Sequence, residues 1–331
     1  MTRNGVVCAG NWIVDIVHTI DHWPKKSDLA RIHDAVTGIG GGAANVAMAL
    51  KALRQDFPVW AAGRVGADTY GDQVIDTCQS AKISTEMLTR DRDAPTAHTH
   101  VMTVPGDTRT FFYQGGANDR LGIEHVDAGA ISKTTNAKLF YLGYLMLLAR
   151  LDTLRADGTT MAADLLKAAR DAGMTVCVDL VSAAHDDFSA IVRASLPHID
   201  YLIVNEVEAG RVLDRRVETP HAMAAAAHDL MDLGVNEATI IHSATHAVWA
   251  DNGMADVVTA PAVTVPPENI VGPVGAGDAF CAGILLGVHE GWTSQTSLAV
   301  AHSCAAASLK SVTATGSIPT LDVLDARLEG T

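Results

Sequence analysis

The chain has 331 residues, a formal net charge of -14 and 48% hydrophobic composition. That much apolar material builds a large core and excludes a disordered chain. The acidic balance excludes a nucleic-acid partner, because a phosphate backbone demands a Lys/Arg stripe.

No apolar run reaches the roughly 18 residues of a membrane span, and Met1-Thr2-Arg3-Asn4 leads straight into a strand-like segment without a signal-peptide pattern. A cytoplasmic location without a membrane partner is expected. Cys8, Cys78, Cys177, Cys281 and Cys304 lack C-x-x-C spacing and sit in apolar segments, as buried reduced thiols do.

In chain order, short Val/Ile/Ala-rich runs alternate with helical patterns, which predicts an α/β fold with a mostly parallel sheet. The first predicted strand, 6–10, runs into Asn11, Trp12 and Asp15. The indole of Trp12 suits either stacking on a sugar or base ring or ordinary core packing. From 15 to 37 polar and apolar residues alternate around turn signals such as Pro24, a pattern that breaks the α/β rhythm.

The run Gly38-Ile39-Gly40-Gly41-Gly42 opens a helix predicted over 44–52. Read as Gly38-x-Gly40-x-x-Ala43, with Arg64 after the next strand, it matches the fingerprint of an NADP-dependent oxidoreductase. The context fails, because about 28 residues separate Gly10 from Gly38, whereas the fingerprint belongs in the first strand-to-helix turn. Close approach of backbone amides to substrate hydroxyls fits better, with Asn45 supplying a donor and an acceptor; an Asn helix cap is the structural alternative.

Strand 59–63 and helix 72–81 precede a second break at 97–118. There a hairpin of 98–104 with 109–114 turns at Pro105-Gly106-Asp107. His98 and His100 share one face of it, either toward substrate or on a plain strand surface, and Arg109 at the turn is a substrate contact or a solvated charge. Together 15–37 and 97–118 form a small β lid on a single α/β domain spanning 1–331.

Strands 139–142, 175–179, 201–205 and 239–242 alternate with helices 161–172, 188–196 and 223–233. Asn205 and Glu208 follow a strand end, where open α/β sheets bind ligands, and are candidates for Mg²⁺ waters and phosphates; a carboxylate there also simply suits the helix dipole. His242 and His246 are loop candidates for nucleotide phosphates.

In Gly275-Ala276-Gly277-Asp278, ahead of a helix over 280–288, the two glycines let consecutive N–H groups point at one spot. The helix terminus adds about half a positive charge, which makes an anion hole. Asp278 is either a helix cap or the base that takes a proton from an attacking hydroxyl.

Taken in order, these residues resemble the ribokinase-like, or PfkB-type, carbohydrate kinases over nearly the whole chain. The resemblance rests on Gly10-Asn11-x-x-x-Asp15, the segment 40–47, Gly63-Arg64-Val65-Gly66-x-Asp68-x-x-Gly71, Asp107-Thr108-Arg109-Thr110 with Gly116-Ala117-Asn118, Asn205-x-x-Glu208, and Gly275-Ala276-Gly277-Asp278, extending to Gly316. It implies a three-layer fold, a central mostly parallel sheet between helices, and a β lid that also forms a homodimer contact. It further implies an ATP-dependent phosphotransferase acting on a hydroxyl of a small sugar-like substrate, with Mg²⁺ and a monovalent cation as cofactors.

By position, the resemblance implies that Asn11, Asp15, Gly41, Gly42, Asn45 and Arg109 meet the substrate. Asn205 and Glu208 would organise Mg²⁺ through water, and Ser243 would face the nucleotide. Gly275, Ala276 and Gly277 would hold the phosphoryl group, and Asp278 would be the base. Three departures stand out: Gly272-Pro273 replaces the usual Asp-Thr, Ser243 and His246 replace loop glycines, and Gly42 replaces the substrate-side Lys of some members. Sparse positive charge disfavours a sugar phosphate. A free sugar, a sugar acid or a nucleoside stays open as the acceptor, as does a sugar-binding regulatory protein on the same scaffold.

Overall fold

A computed structural model of the chain describes residues 2–105, 107, 109–271, 275–311 and 316–328. The strands are β1 (Val6–Gly10), β2 (Ile13–Ile20), β3 (Ile32–Gly40), β4 (Val59–Gly66), β5 (Ser84–Asp91), β6 (His98–Thr103), β7 (Arg109–Gln114), β8 (Leu139–Leu145), β9 (Thr175–Leu180), β10 (Tyr201–Asn205), β11 (Ala238–His242), β12 (His246–Asp251) and β13 (Val257–Pro261). The helices are α1 (Gly42–Leu53), α2 (Thr69–Ser80), α3 (Ala128–Thr135), α4 (Ala149–Asp152), α5 (Met161–Asp171), α6 (Phe188–Ser195), α7 (Glu206–Leu213), α8 (Pro220–Asp232), α9 (Ala276–Glu290), α10 (Ser294–Ser308) and α11 (Leu321–Leu328).

The larger sheet runs β13-β12-β11-β10-β9-β8-β1-β4-β5, parallel from β11 to β5 and antiparallel at the β12 and β13 edge. Parallel strands are covered on both faces, which is why they read as unbroken apolar runs. In β1, Val6 and Cys8 enter the core beneath α1, α9 and α10, while Val7 and Ala9 enter the opposite core beneath α5, α6 and α8. Small residues bring neighbouring helices of one layer close: a Cβ on Gly283 of α9 would stand 2.5 Å from Ala301 Cα of α10.

The smaller sheet runs β3-β2-β6-β7, with β2 and β6 parallel and the two outer pairs antiparallel. The 15–37 and 97–118 segments supply these strands. Asp15 is in register with Thr99, and Thr99 with Tyr113, so all three share one face. That face lines a cleft above the carboxyl ends of the parallel strands.

Predicted and observed elements coincide to within a few residues, and the differences have local causes. Helix α9 starts at Ala276, ahead of the apolar periodicity, because Gly275 turns the chain in a left-handed conformation (φ 82°). Strands β5, β12 and β13 carry no clear pattern in the sequence. β5 and β13 are sheet edges, β5 mostly polar and β13 short and only partly buried, and the continuous burial of β12 removes the period-two alternation. All five cysteines are buried and free, as expected.

Candidate active site

Two adjoining clefts open at the carboxyl ends of the parallel strands. The larger, about 820 Å³, is lined by Asp15, Gly41, Asn45, Thr99, Arg109 and Tyr113 among apolar walls that include Ile13, Phe111, Leu147 and Ile270. The smaller, about 260 Å³, is lined by Asp179, Asn205, Glu208, His242, Gly277 and Asp278. Tyr144 and Gly275 belong to both.

Asp278 lies in the first turn of α9, where Gly275 takes the N-cap position without any side-chain cap. The capping alternative therefore falls away. Its Oδ2 accepts hydrogen bonds from Asn45 Nδ2 at 2.8 Å and from the Tyr144 hydroxyl at 2.9 Å. Burial pushes the Asp278 carboxyl up to about 6, the two donors oppose that, and the charges of Asp15 and Glu208 add to it.

Asn45 is likewise no cap. Gly41 holds that position in α1, and the Asn45 side chain turns inward with Oδ1 buried and unpartnered. Asp15 is raised to about 6 by burial, against a hydrogen bond from Thr99. Its carboxylate lies so close to Gly40 that a Cβ there would stand 1.9 Å from Oδ2, which explains the first glycine of the pair. Gly41 has φ 91° and backs onto the Asn11 carbonyl, where a Cβ would come within 2.8 Å.

Several expected residues stand elsewhere. Asn11 is fully buried outside both cleft linings and donates Nδ2 to the Leu147 carbonyl at 2.9 Å, so it braces the loop after β8. Gly42 also lies outside the linings, beneath the Tyr144 ring. Trp12 is core packing, fully buried with Nε1 bonded to the Ala62 carbonyl at 3.0 Å. His98 and His100 occupy the face of β6 opposite Thr99 and meet Tyr70 and His18. Arg109 does line the larger cleft; its Nη1 is buried without a hydrogen-bond partner, and burial lowers its proton affinity.

Asn205 and Glu208 form a capping box on α7: Asn205 Oδ1 accepts from the Val207 and Glu208 N–H groups, and Glu208 Oε2 accepts from the Asn205 N–H at 3.1 Å. Both also line the smaller cleft, so the cap leaves them at a cleft wall. Burial raises Glu208, whose Oε1 accepts from Ser182 Oγ at 2.9 Å. His242 is pushed down to about 4 by burial and is neutral at pH 7.

Ser243 lines neither cleft, because its hydroxyl closes the turn from β11 to β12 by accepting from the His246 N–H at 3.1 Å. His246 is absent from both linings too, in the register that opens β12. Gly272 and Pro273 lie outside the described residues. Among the described residues no group of three or more His, Cys, Asp or Glu side chains is placed to hold a metal directly.

Sequence reasoning missed Tyr144 and Asp179. Asp179, one residue before the end of β9, accepts the Tyr144 N–H through Oδ1 at 2.8 Å, and is raised by burial and by the Asp278 charge. The available signal was a lone Asp closing an apolar strand, at the same sheet edge that gives Asn205.

The arrangement is that of an α/β enzyme with a glycine-flanked helix terminus and a buried carboxylate in the smaller cleft, hydrogen-bonded to two residues that line the larger one. A family model described as pfkB family carbohydrate kinase matches residues 3–321. The chain belongs to that family and is a carbohydrate kinase. It is 24% identical over 318 residues to a ribokinase of Arabidopsis thaliana, covering 96% of this chain and 78% of that protein.

Among solved structures, Arabidopsis thaliana ribokinase complexed with ribose and ATP superposes with a TM-score of 0.79 at 22% identity, covering 99% of each chain. Burkholderia thailandensis nucleoside kinase in complex with inosine does so with a TM-score of 0.76 at 21% identity, covering 98% of each. At such identities these superpositions speak for the ribokinase-like fold. Among the described residues no helix is long and apolar enough to cross a membrane.

Proposed function

We propose that this chain moves the terminal phosphoryl group of ATP to a hydroxyl of a sugar-like acceptor, with Asp278 as general base. The observation that carries the reading is that Asp278 lines the smaller cleft while its Oδ2 is held by Asn45 and Tyr144, which line the larger one. Both bonds fall on one oxygen, which leaves Oδ1 for the acceptor proton.

Asp15, Asn45 and Arg109 hold the acceptor in the larger cleft. The buried, unpartnered Asn45 Oδ1 and Arg109 Nη1 are groups that acceptor hydroxyls would satisfy. The N–H groups of Gly275, Ala276 and Gly277 at the α9 terminus hold the phosphoryl oxygens. Phosphoryl transfer needs alignment and charge neutralisation more than covalent help, and these parts supply alignment.

Asp179 and Glu208 both line the smaller cleft and are raised by burial, an environment that suits a divalent cation held through water. Asn205 and Glu208 would hold the waters of Mg²⁺, which neutralises charge on phosphate oxygens when bound. The test is ADP release across sugars, sugar acids and nucleosides, with Asp278→Asn as control. Turnover in that variant within tenfold of wild type would remove the mechanism.

A nucleoside acceptor is the second reading. It is favoured by the apolar walls of the larger cleft, Ile13, Phe111, Leu147, Val181 and Ile270, against which a bare pentose has little to bury. A kcat/KM for free ribose above that for every nucleoside would exclude it. Phe112, Leu29 and Ile32, exposed on the smaller sheet and its β2–β3 connection, support a homodimer through the lid, which sedimentation tests directly. A cytoplasmic location accords with five free thiols.

A further inference from the structure

Tyr144 lies near the end of β8 at a place no motif marks, yet three contacts fix it. Its backbone is left-handed, with φ 57°, and its N–H is bound by buried Asp179 Oδ1 at 2.8 Å. Its ring lies over Gly42, where a Cβ would stand 2.6 Å from the ring Cδ1. Its hydroxyl donates to Asp278 Oδ2 at 2.9 Å.

A strained backbone of this kind persists only where the surroundings over-determine it. Here they deliver a phenol to the Asp278 carboxylate of the smaller cleft. Gly42 and Tyr144 also form one feature: a side chain at 42, such as the Lys of some family members, would collide with the ring, so the glycine is what admits the tyrosine.

We propose that Tyr144 is a positioning residue: its hydroxyl, with Asn45, fixes Asp278 Oδ2 so that Oδ1 meets the acceptor at the junction of the two clefts that its side chain lines. This rests on the kinase reading. A donor on the carboxylate favours its charged form, so Tyr144 acts against the burial that raises Asp278.

Tyr144→Phe keeps the ring and removes the hydroxyl. Asp278 then titrates higher by roughly half to one pH unit, and kcat at pH 7 falls roughly tenfold, mostly from the misaligned carboxylate, with acceptor KM within about twofold and only the ionisation part, about twofold, recovered at higher pH. Gly42→Ala crowds the ring and is expected to move the same titration upward without deleting a donor. The measurement is carbon-13 NMR of aspartate carboxyls, with Asp278 assigned by Asp278→Asn, beside the pH profile of kcat.

An upward shift in Tyr144→Phe, or in Gly42→Ala alone should the Phe variant fail to fold, supports the proposal. An unmoved Asp278 titration overturns it, whatever the acceptor. A moved titration in a chain that releases ADP with no acceptor sinks the kinase reading instead and leaves the hydrogen bond established.

Discussion

Asn45 and Asp278 lie 233 positions apart in the sequence and share one buried hydrogen bond of 2.8 Å. It joins the first turns of α1 and α9, so the two helices proposed to hold the acceptor and the phosphoryl group are registered through the proposed base. Asn45→Ala removes a donor from a carboxylate that burial already disfavours in its charged form. We expect kcat to fall roughly 10- to 100-fold, by loss of part of the general-base contribution, and the acid limb of the rate profile to move upward. An unmoved limb with an unchanged kcat would show that the contact is only packing.

The pH dependence of activity has a definite sign. Asp278 must be ionised to accept a proton, and its carboxyl is raised to about 6. Asp15, raised to about 6 by burial, loses its charge over the same interval. Activity should therefore decline as pH falls through about 6, and Asp15→Asn should make the decline shallower by removing one of the two titrations. A wild-type rate that stays level well below pH 6 contradicts both assignments.

Much of the fold was legible because parallel strands buried on both faces leave continuous apolar runs, and because glycines mark turns that tolerate no Cβ. The site was legible only in part, since a motif shows which residue is present and not which way it faces. Asn11 and Trp12 flank the cleft in sequence but serve the core, and Asn118 beside them grips the Trp12 backbone through both ends of its amide. Asp68 in Gly66-x-Asp68-x-x-Gly71 caps α2 by accepting the Gly71 N–H at 2.8 Å. Tyr144 was hidden because its role depends on a left-handed turn held by Asp179, a pairing that arises only when β8 and β9 lie side by side.

Asn205 combines a helix cap with a place in the smaller cleft, and two substitutions separate the roles. Asn205→Ala should lose about 1 kcal/mol with the cap. Asn205→Asp keeps an oxygen for the Val207 and Glu208 N–H groups, so its melting temperature should stay near wild type, while its new charge beside the phosphate site raises KM for Mg-ATP roughly tenfold. Melting curves and nucleotide kinetics on both variants decide the matter; an Asp variant with wild-type KM would leave Asn205 as a cap alone.

Asp152 offers a stability test away from the proposed chemistry. It is 5% exposed, its Oδ2 accepts the Leu148 N–H at 2.7 Å to close α4, and its Oδ1 is buried without a hydrogen-bond partner. Burial, with the nearby Asp119 charge, raises its carboxyl to about 7. A carboxyl raised in the folded state binds its proton more tightly there than in the unfolded chain. Its favourable contribution is therefore complete below the ordinary value near 4 and is lost as pH rises through about 7. Asp152→Asn keeps an acceptor for Leu148 and cannot ionise, so its gain in stability over wild type should grow between pH 5 and pH 8. The growth is on the order of a few kcal/mol at most, at about 1.4 kcal/mol for each tenfold difference in proton affinity. Thermal melts of both proteins at the two pH values provide the check, and a difference in melting temperature that is the same at pH 5 and pH 8 would mean that Asp152 does not titrate in this window.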